Sequence, residues 1–189
     1  MTDAARFVVH ARWVIPVEPT GRVLHHHAVA VEAGRIVAVL PDAAAREQFA
    51  DWPHVQRPRH ALIPGLVNAH THAAMTLLRG LADDLPLMPW LQQHIWPAEQ
   101  RFVGREFVRD GTALAVAEML RAGITCFSDM YFFGEDTADV AAAAGMRAVV
   151  GLIAIDFPTA YASDADDYLR RGLALRDAWR GHPLIRTAF

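Results

Sequence analysis

The 189-residue sequence contains no lysine; all 18 of its basic residues are arginine, set against 21 acidic ones for a formal net charge of −3. Charge so nearly balanced and dispersed gives no reason to expect nucleic acid or an anionic membrane as the main partner. There is one cysteine, Cys126, which excludes an internal disulfide framework and fits a reducing compartment. No apolar run reaches the roughly 18 residues a spanning helix needs. Met1-Thr2-Asp3 has neither the basic start nor the apolar stretch of a secretory leader, so the cytoplasm is the expected location. Disorder is excluded as well: 53% of the residues are hydrophobic and 21% charged, the balance of a chain with a real core.

Histidine is abundant: ten, at positions 10, 25, 26, 27, 54, 60, 70, 72, 94 and 182. Imidazole is the common metal ligand and the near-neutral acid–base group, so clustering matters more than number. Eight of the ten are expected at the surface. The tract His25-His26-His27 is one of these, read as exposed loop histidines in a turn before a strand.

Two kinds of grammar divide the chain. The first sixty residues read as short strands and turns: Arg6 to Val17, then Ala28 to Glu32 and Arg35 to Leu40 joined as a hairpin at Ala33-Gly34. Pro41 to Gln48 fits a short helix with Asp42 as its cap. After Leu62 a helical stretch three times ends at glycine and runs into a short apolar strand. These are Arg105–Ala122, Gly123, Ile124–Ser128; Thr137–Ala144, Gly145, Arg147–Ile155; and Ala165–Arg180, Gly181, Leu184–Phe189. With Ala61–Asn68 as an earlier strand, four strands alternate with helices, which means parallel strands and right-handed crossovers. A doubly wound sheet and a (β/α)8 barrel both fit. The chain stops at Ile185-Arg186-Thr187-Ala188-Phe189, inside a strand with no polar tail, and is expected to be truncated.

The segment richest in chemistry is Leu62-Ile63-Pro64-Gly65-Leu66-Val67-Asn68-Ala69-His70-Thr71-His72. Residues i and i+2 of a strand share a side, so His70 and His72 point together from its C-terminal end. Two imidazoles so placed suit one transition metal, zinc being the usual choice. A bare His-x-His is common on surfaces. This one closes an apolar strand on the edge where parallel α/β folds build their sites.

The longer run from Pro64 to Gly80, PGLVNAHTHAAMTLLRG, and ADDLPLMPWLQQHIWPAE from Ala82 to Glu99 resemble the metal-dependent amidohydrolases, in particular the 5′-methylthioadenosine/S-adenosylhomocysteine deaminases. The resemblance implies an α/β chain forming the N-terminal half, strands one to four, of a (β/α)8 TIM barrel over residues 62–189. Residues 1–61 would then be the N-terminal part of a composite β-sandwich. It implies His70 and His72 as zinc ligands, Trp90 lining the pocket beside a nucleoside, and Glu99 accepting hydrogen bonds from the ribose hydroxyls. The activity implied is hydrolytic deamination of an adenosine thioether, with one Zn2+ (or another divalent transition metal) per subunit. The substrate would be a small nucleoside, with no nucleic acid or membrane partner and with room for a homo-oligomer. Because binuclear relatives bridge their metals with a modified lysine, the absence of lysine favours a single metal. The general acid/base Glu and a polarising His would follow Phe189, so the chain alone is expected to be inactive.

Two rival readings remain open at this stage. One is the same chemistry on another ring, guanine or an s-triazine; the other is a non-catalytic fragment or assembly module. Among the remaining residues, Asp129 falls at the catalytic edge, where capping or loop hydrogen bonding is its commoner role. Cys126 reads as a small buried hydrophobe, His94 as packed or partly exposed, and Asp83-Asp84 as a solvated loop. For Arg79, anchoring a loop and binding substrate are equally open.

Overall fold

In the computed structural model, residues 5–189 are described; the Met1-Thr2-Asp3 start lies outside them. The chain divides into two units, Met1–Pro64 and Gly65–Phe189.

In the first unit, strands Arg6–Val14 (β1), Leu24–Glu32 (β2), Arg35–Pro41 (β3) and His54–Leu62 (β4) form one sheet in the order β3-β2-β1-β4. The β1–β2 and β2–β3 pairs are antiparallel and β1–β4 is parallel. The hairpin expected at Ala33-Gly34 is present, with both residues at positive φ, the geometry that matches strand twist. Val8, Ala28 and Ala30 pack against Ala45 of the helix Asp42–Gln48 (α1) on one face; Ala11, Val14 and Val29 pack with Leu24 and Leu62.

Four expectations change here. Asp42 does not cap α1: Pro41 holds the cap position, and the Asp42 carboxylate turns to His10 instead. His25-His26-His27 is not a turn but part of β2, interrupted by a left-handed φ of 51° at His26. His10 is not a surface residue; it is 2% exposed. The strand placed at Ala61–Asn68 is two strands, β4 ending at Leu62 and the next beginning at Leu66, because the chain changes sheets across Ile63-Pro64-Gly65.

The second unit carries Leu66–Thr71 (β5), Ile124–Asp129 (β6), Arg147–Gly151 (β7) and Ile185–Ala188 (β8), all parallel and in sequence order. Helices Arg105–Arg121 (which, as helices, follow Leu87–Trp90, α2, and Trp96–Phe102, α3, and is therefore α4), Gly134–Ala143 (α5) and Ala165–Ala178 (α6) make the crossovers. The order never reverses, so crossovers of one hand lay all three helices on one face of the sheet. Gly123, Gly145 and Gly181 follow the three helices at φ of 70–80°, which a β-carbon would strain; the repeated helix–glycine–strand signature is thus a repeated left-handed cap.

The core on the helix side joins Val116 and Met119 of α4, Ala138 and Ala141 of α5 and Leu175 of α6 to Phe127, Ala148, Val150 and Ile185 of the strands. Each large side chain fully buried there contributes about 1.5–3 kcal/mol. At the two sheet edges the apolar side chains are far less covered, with Val67 of β5 64% exposed and Phe189 67% exposed. Between β5 and α4 the chain forms a 3-10 turn over Ala73–Leu78, then α2, a π turn over Leu91–Ile95, and α3. A β-carbon on Gly111 of α4 would collide with the Ala74 backbone, so this glycine lets the helix seat directly on the turn that follows His72.

Candidate functional site

The parallel register sets the site. Thr71 at the end of β5 pairs with Asp129 at the end of β6, and Asp129 with Val150 of β7, so the three strands finish together. His70 and His72 project at that finish, with ring centroids 5.0 Å apart and planes at 81°. His72 Nδ1 lies 2.5 Å from the Met130 carbonyl oxygen. A carbonyl only accepts, so Nδ1 carries the proton and the Nε2 lone pair is left free. Among the described residues no hydrogen bond is made to either ring nitrogen of His70. Two imidazoles with unoccupied lone pairs, one fixed in its tautomer from behind, fit a borderline-soft divalent metal as part of its ligand set. Among the described residues no group of three His, Cys, Asp or Glu could hold a metal, so the pair is an incomplete set.

The carboxylate of Asp129 is 2% exposed and accepts the Ala73 N–H at 2.6 Å, with the Thr137 hydroxyl at 3.4 Å. It therefore pins the first residue after His72, the loop role that is the commoner fate of an aspartate at such an edge. Burial pushes its carboxyl up to about 6 against those two hydrogen bonds and the nearby histidines, which hold it down.

His70, His72, Trp90 and Glu99 line one cavity of about 800 Å3, together with Met75, Ser128, Tyr131, Gly151 at the end of β7 and residues 152–155 after it. The Trp90 indole N–H donates to Leu81 O at 3.2 Å, fixing the ring by its edge at the cavity wall. Glu99, on α3, is half-buried and accepts the Tyr131 hydroxyl at 2.7 Å. Burial raises its carboxyl above the usual range, while Tyr131 and the charge of His72 pull it back. Glu99 also lines a second cavity of about 370 Å3 with Phe132, Ile155, Phe157, Pro158 and Thr159.

Other candidates lie elsewhere. Arg79 makes a two-pronged ion pair with Glu118 of α4, at 3.0 and 2.5 Å, which makes it a loop anchor. His94 lines a separate cleft with Arg79 and Arg101. Asp83 and Asp84 are exposed, and Cys126 is partly buried in β6. Sequence reasoning missed Tyr131. The available signal was its place two residues beyond Asp129, on the same strand end that the helix–glycine–strand repeat had marked as the site edge.

The amidohydrolase family profile matches residues 61–182. The chain is 51% identical over 185 residues to a 5-methylthioadenosine/S-adenosylhomocysteine deaminase of Saccharophagus degradans, covering 98% of this chain and 42% of the relative. It is 46% identical over 188 residues to the protein of that name from Teredinibacter turnerae, covering 100% and 42%. It spans about two fifths of the length of these curated relatives. Among solved structures, the crystal structure of an adenosine deaminase from Xanthomonas campestris with bound zinc superposes with a TM-score of 0.95 at 58% identity, over 98% of this chain and 42% of that one. A zinc complex of an atrazine chlorohydrolase from Arthrobacter aurescens shares the fold, with a TM-score of 0.83 at 18% identity over 97% and 46%. With the profile covering most of the second unit, including the strand end that carries His70 and His72, the chain belongs to the amidohydrolase family.

Proposed function

We propose that this chain is the N-terminal portion of a zinc-dependent deaminase acting on adenosine thioethers such as 5′-methylthioadenosine and S-adenosylhomocysteine. The observation that carries the reading is one cavity holding both a histidine pair with free ring nitrogens and a half-buried carboxylate, Glu99. In the reaction, water adds at C6 of the adenine ring and the C6–N bond breaks; ammonia leaves, the hypoxanthine derivative remains, and no oxidant is needed. Zinc, when bound, supplies Lewis-acid activation of water near neutral pH. His70 and His72 act as neutral nitrogen donors, His72 oriented by the Met130 carbonyl. Trp90 lines the base, and Glu99 accepts from the ribose hydroxyls. The remaining ligands and the general acid/base belong to residues beyond Phe189, since catalytic zinc takes three protein ligands and the described residues offer two.

In the same reading, residues 62–189 are the first half of a (β/α)8 barrel. The unreversed strand order and the apolar side chains exposed at both sheet edges support this. Residues 1–61 are part of a small β-sandwich. The single Cys126, unpaired, supports a cytoplasmic setting, and among the described residues no helix is long and apolar enough to cross a membrane.

The test is direct assay of the complete polypeptide carrying these residues, loaded with zinc, for ammonia release from 5′-methylthioadenosine, guanine and an s-triazine. Faster turnover of the thioether supports the reading. Preference for either free ring overturns the substrate assignment and leaves the family intact. Replacing Glu99 with Gln sharpens the result: selective loss on the nucleoside is expected, and equal loss on nucleoside and free base contradicts the ribose role.

A further inference from the structure

Three consecutive residues at the end of β6 each hold a different part of the site. The Asp129 carboxylate takes the Ala73 N–H, the Met130 carbonyl takes His72 Nδ1–H, and the Tyr131 hydroxyl reaches Glu99. The first two hold His72 and the residue after it. The third reaches across the cavity to α3, from a side chain that is itself 6% exposed and packed beside Phe132 and 6.2 Å from the His72 ring.

From this geometry we infer that Tyr131 is the positioning residue that holds Glu99 as an acceptor of the substrate's ribose hydroxyls, at a fixed offset from the histidine pair. The inference rests on the proposed role of Glu99 and adds what keeps Glu99 competent. A buried tyrosine hydroxyl ordinarily finds a partner, and the 2.7 Å separation from the Glu99 carboxylate is that of a well-formed O–H···O bond. The bond does two things. It occupies one side of Oε1 and leaves Oε2 free for the substrate, so the carboxylate has one orientation rather than several. It also opposes the effect of burial, which favours the protonated form of Glu99 and would remove acceptor capacity. Because Tyr131 follows Met130 directly, any shift of the strand end that moves His72 also moves the anchor of Glu99. The spacing between the base's reacting carbon and its sugar is thereby matched to one rigid segment.

Tyr131→Phe keeps the ring and its packing and removes only the hydroxyl. In the complete polypeptide freed of zinc, dissociation constants for 5′-methylthioinosine and for hypoxanthine are measured by calorimetry, with melting curves confirming that the variant folds. Wild type binds the nucleoside more tightly than the base. Tyr131→Phe weakens the nucleoside about 10-fold or more, as expected for a hydrogen bond to a charged group, and leaves the base within about twofold. With zinc restored, the acid limb of the nucleoside KM profile moves to higher pH in the variant, a displacement that a merely structural role does not produce.

Equal weakening of nucleoside and base, or no weakening of either, overturns the positioning role while the ribose role of Glu99 stands. A wild-type protein that does not distinguish nucleoside from base overturns both readings at once. If Tyr131→Phe fails to fold, Tyr131→Met removes the hydroxyl, keeps an apolar side chain at that place and leaves the Glu99 carboxylate intact. The same selective loss is then expected, and its absence counts against the inference.

Discussion

Two histidine pairs in this molecule are built to opposite ends. In the first unit, His10 and His54 meet with Nε2 and Nδ1 2.7 Å apart; His10 Nδ1 lies 3.0 Å from the Asp42 carboxylate and His54 Nε2 lies 3.1 Å from Phe49 O. All four ring nitrogens are occupied. In the second unit, His70 and His72 face an open cavity, and among the described residues one of the pair's ring nitrogens is bonded to protein. A structural pair satisfies its polar atoms internally because they are out of water; a ligating pair leaves lone pairs free and is oriented from behind. Histidine count and proximity do not separate the two cases. Hydrogen-bond occupancy does.

The comparison breaks most visibly at the pair proposed to hold the metal. His70→Ala or His72→Ala in the complete polypeptide should lower zinc affinity by more than the roughly 10–100-fold that loss of an outer-shell partner costs, and turnover with it. The melting temperature of the zinc-free protein should hardly move, since His70 is exposed. Metal analysis after dialysis against chelator, beside calorimetric melting, reads both. A large destabilisation without metal loss would mean that His70 and His72 are structural after all.

The mirror-image change is His10→Ala. It removes a buried side chain, leaves His54 Nδ1 and Asp42 without their partner, and should cost about 2–4 kcal/mol. Chemical denaturation measures it; zinc content should stay at the wild-type level. Metal loss in this variant would join two sites that the hydrogen bonding keeps separate.

Asp129 stands between the extremes, a buried group whose work is orientation. Asp129→Ala orphans the Ala73 N–H behind His72, at a cost of about 1–3 kcal/mol. It should also weaken zinc binding by about 10–100-fold, the outer-shell range. Asp129→Asn retains an oxygen for that N–H and should recover most of both losses. If Asn behaves like Ala, the charge of Asp129 matters to the metal and not only its hydrogen bond.

The contrast between the pairs also marks how far the sequence alone could be read. The strand end carrying His70-Thr71-His72 was legible because its signal is local: an apolar run, a two-residue period and a position on the edge that three helix–glycine–strand repeats define. Those repeats survive in the structure, with Gly123, Gly145 and Gly181 all at positive φ. The His10–His54–Asp42 cluster was not legible. Its members lie 32 and 44 residues apart and meet only because β4 runs parallel to β1 with His54 opposite Val8 and because α1 starts one residue earlier than a capping Asp42 would place it. The break at Ile63-Pro64-Gly65 was hidden for a related reason: apolar character runs on through it while the hydrogen-bonding partner changes from β1 to β6. Glu99 and Trp90 came from resemblance, since nothing in their local pattern points to a cavity. Tyr131 needed the fold to show that a strand end could reach α3.

The smallest effect is expected at the third histidine group, and it sharpens the rule most economically. His25 and His27 repeat the His-x-His spacing of His70 and His72, again within a strand. Here the pleat is interrupted at His26, and His27 Nδ1 is already bonded to the His25 carbonyl at 2.8 Å. The flanking partners are Trp13 and Ala11 of β1, which offer no further ligand. Spacing is therefore matched while side-chain alternation, free lone pairs and a surrounding cavity are not. Replacing both His25 and His27 with Gln should leave chelator-resistant zinc and turnover within about twofold of wild type and shift stability by no more than about 0.5 kcal/mol, as for ordinary surface changes. If the double variant lost bound zinc, spacing alone would suffice to make a site, and the distinction drawn from hydrogen-bond occupancy would fail at the place where it is easiest to isolate.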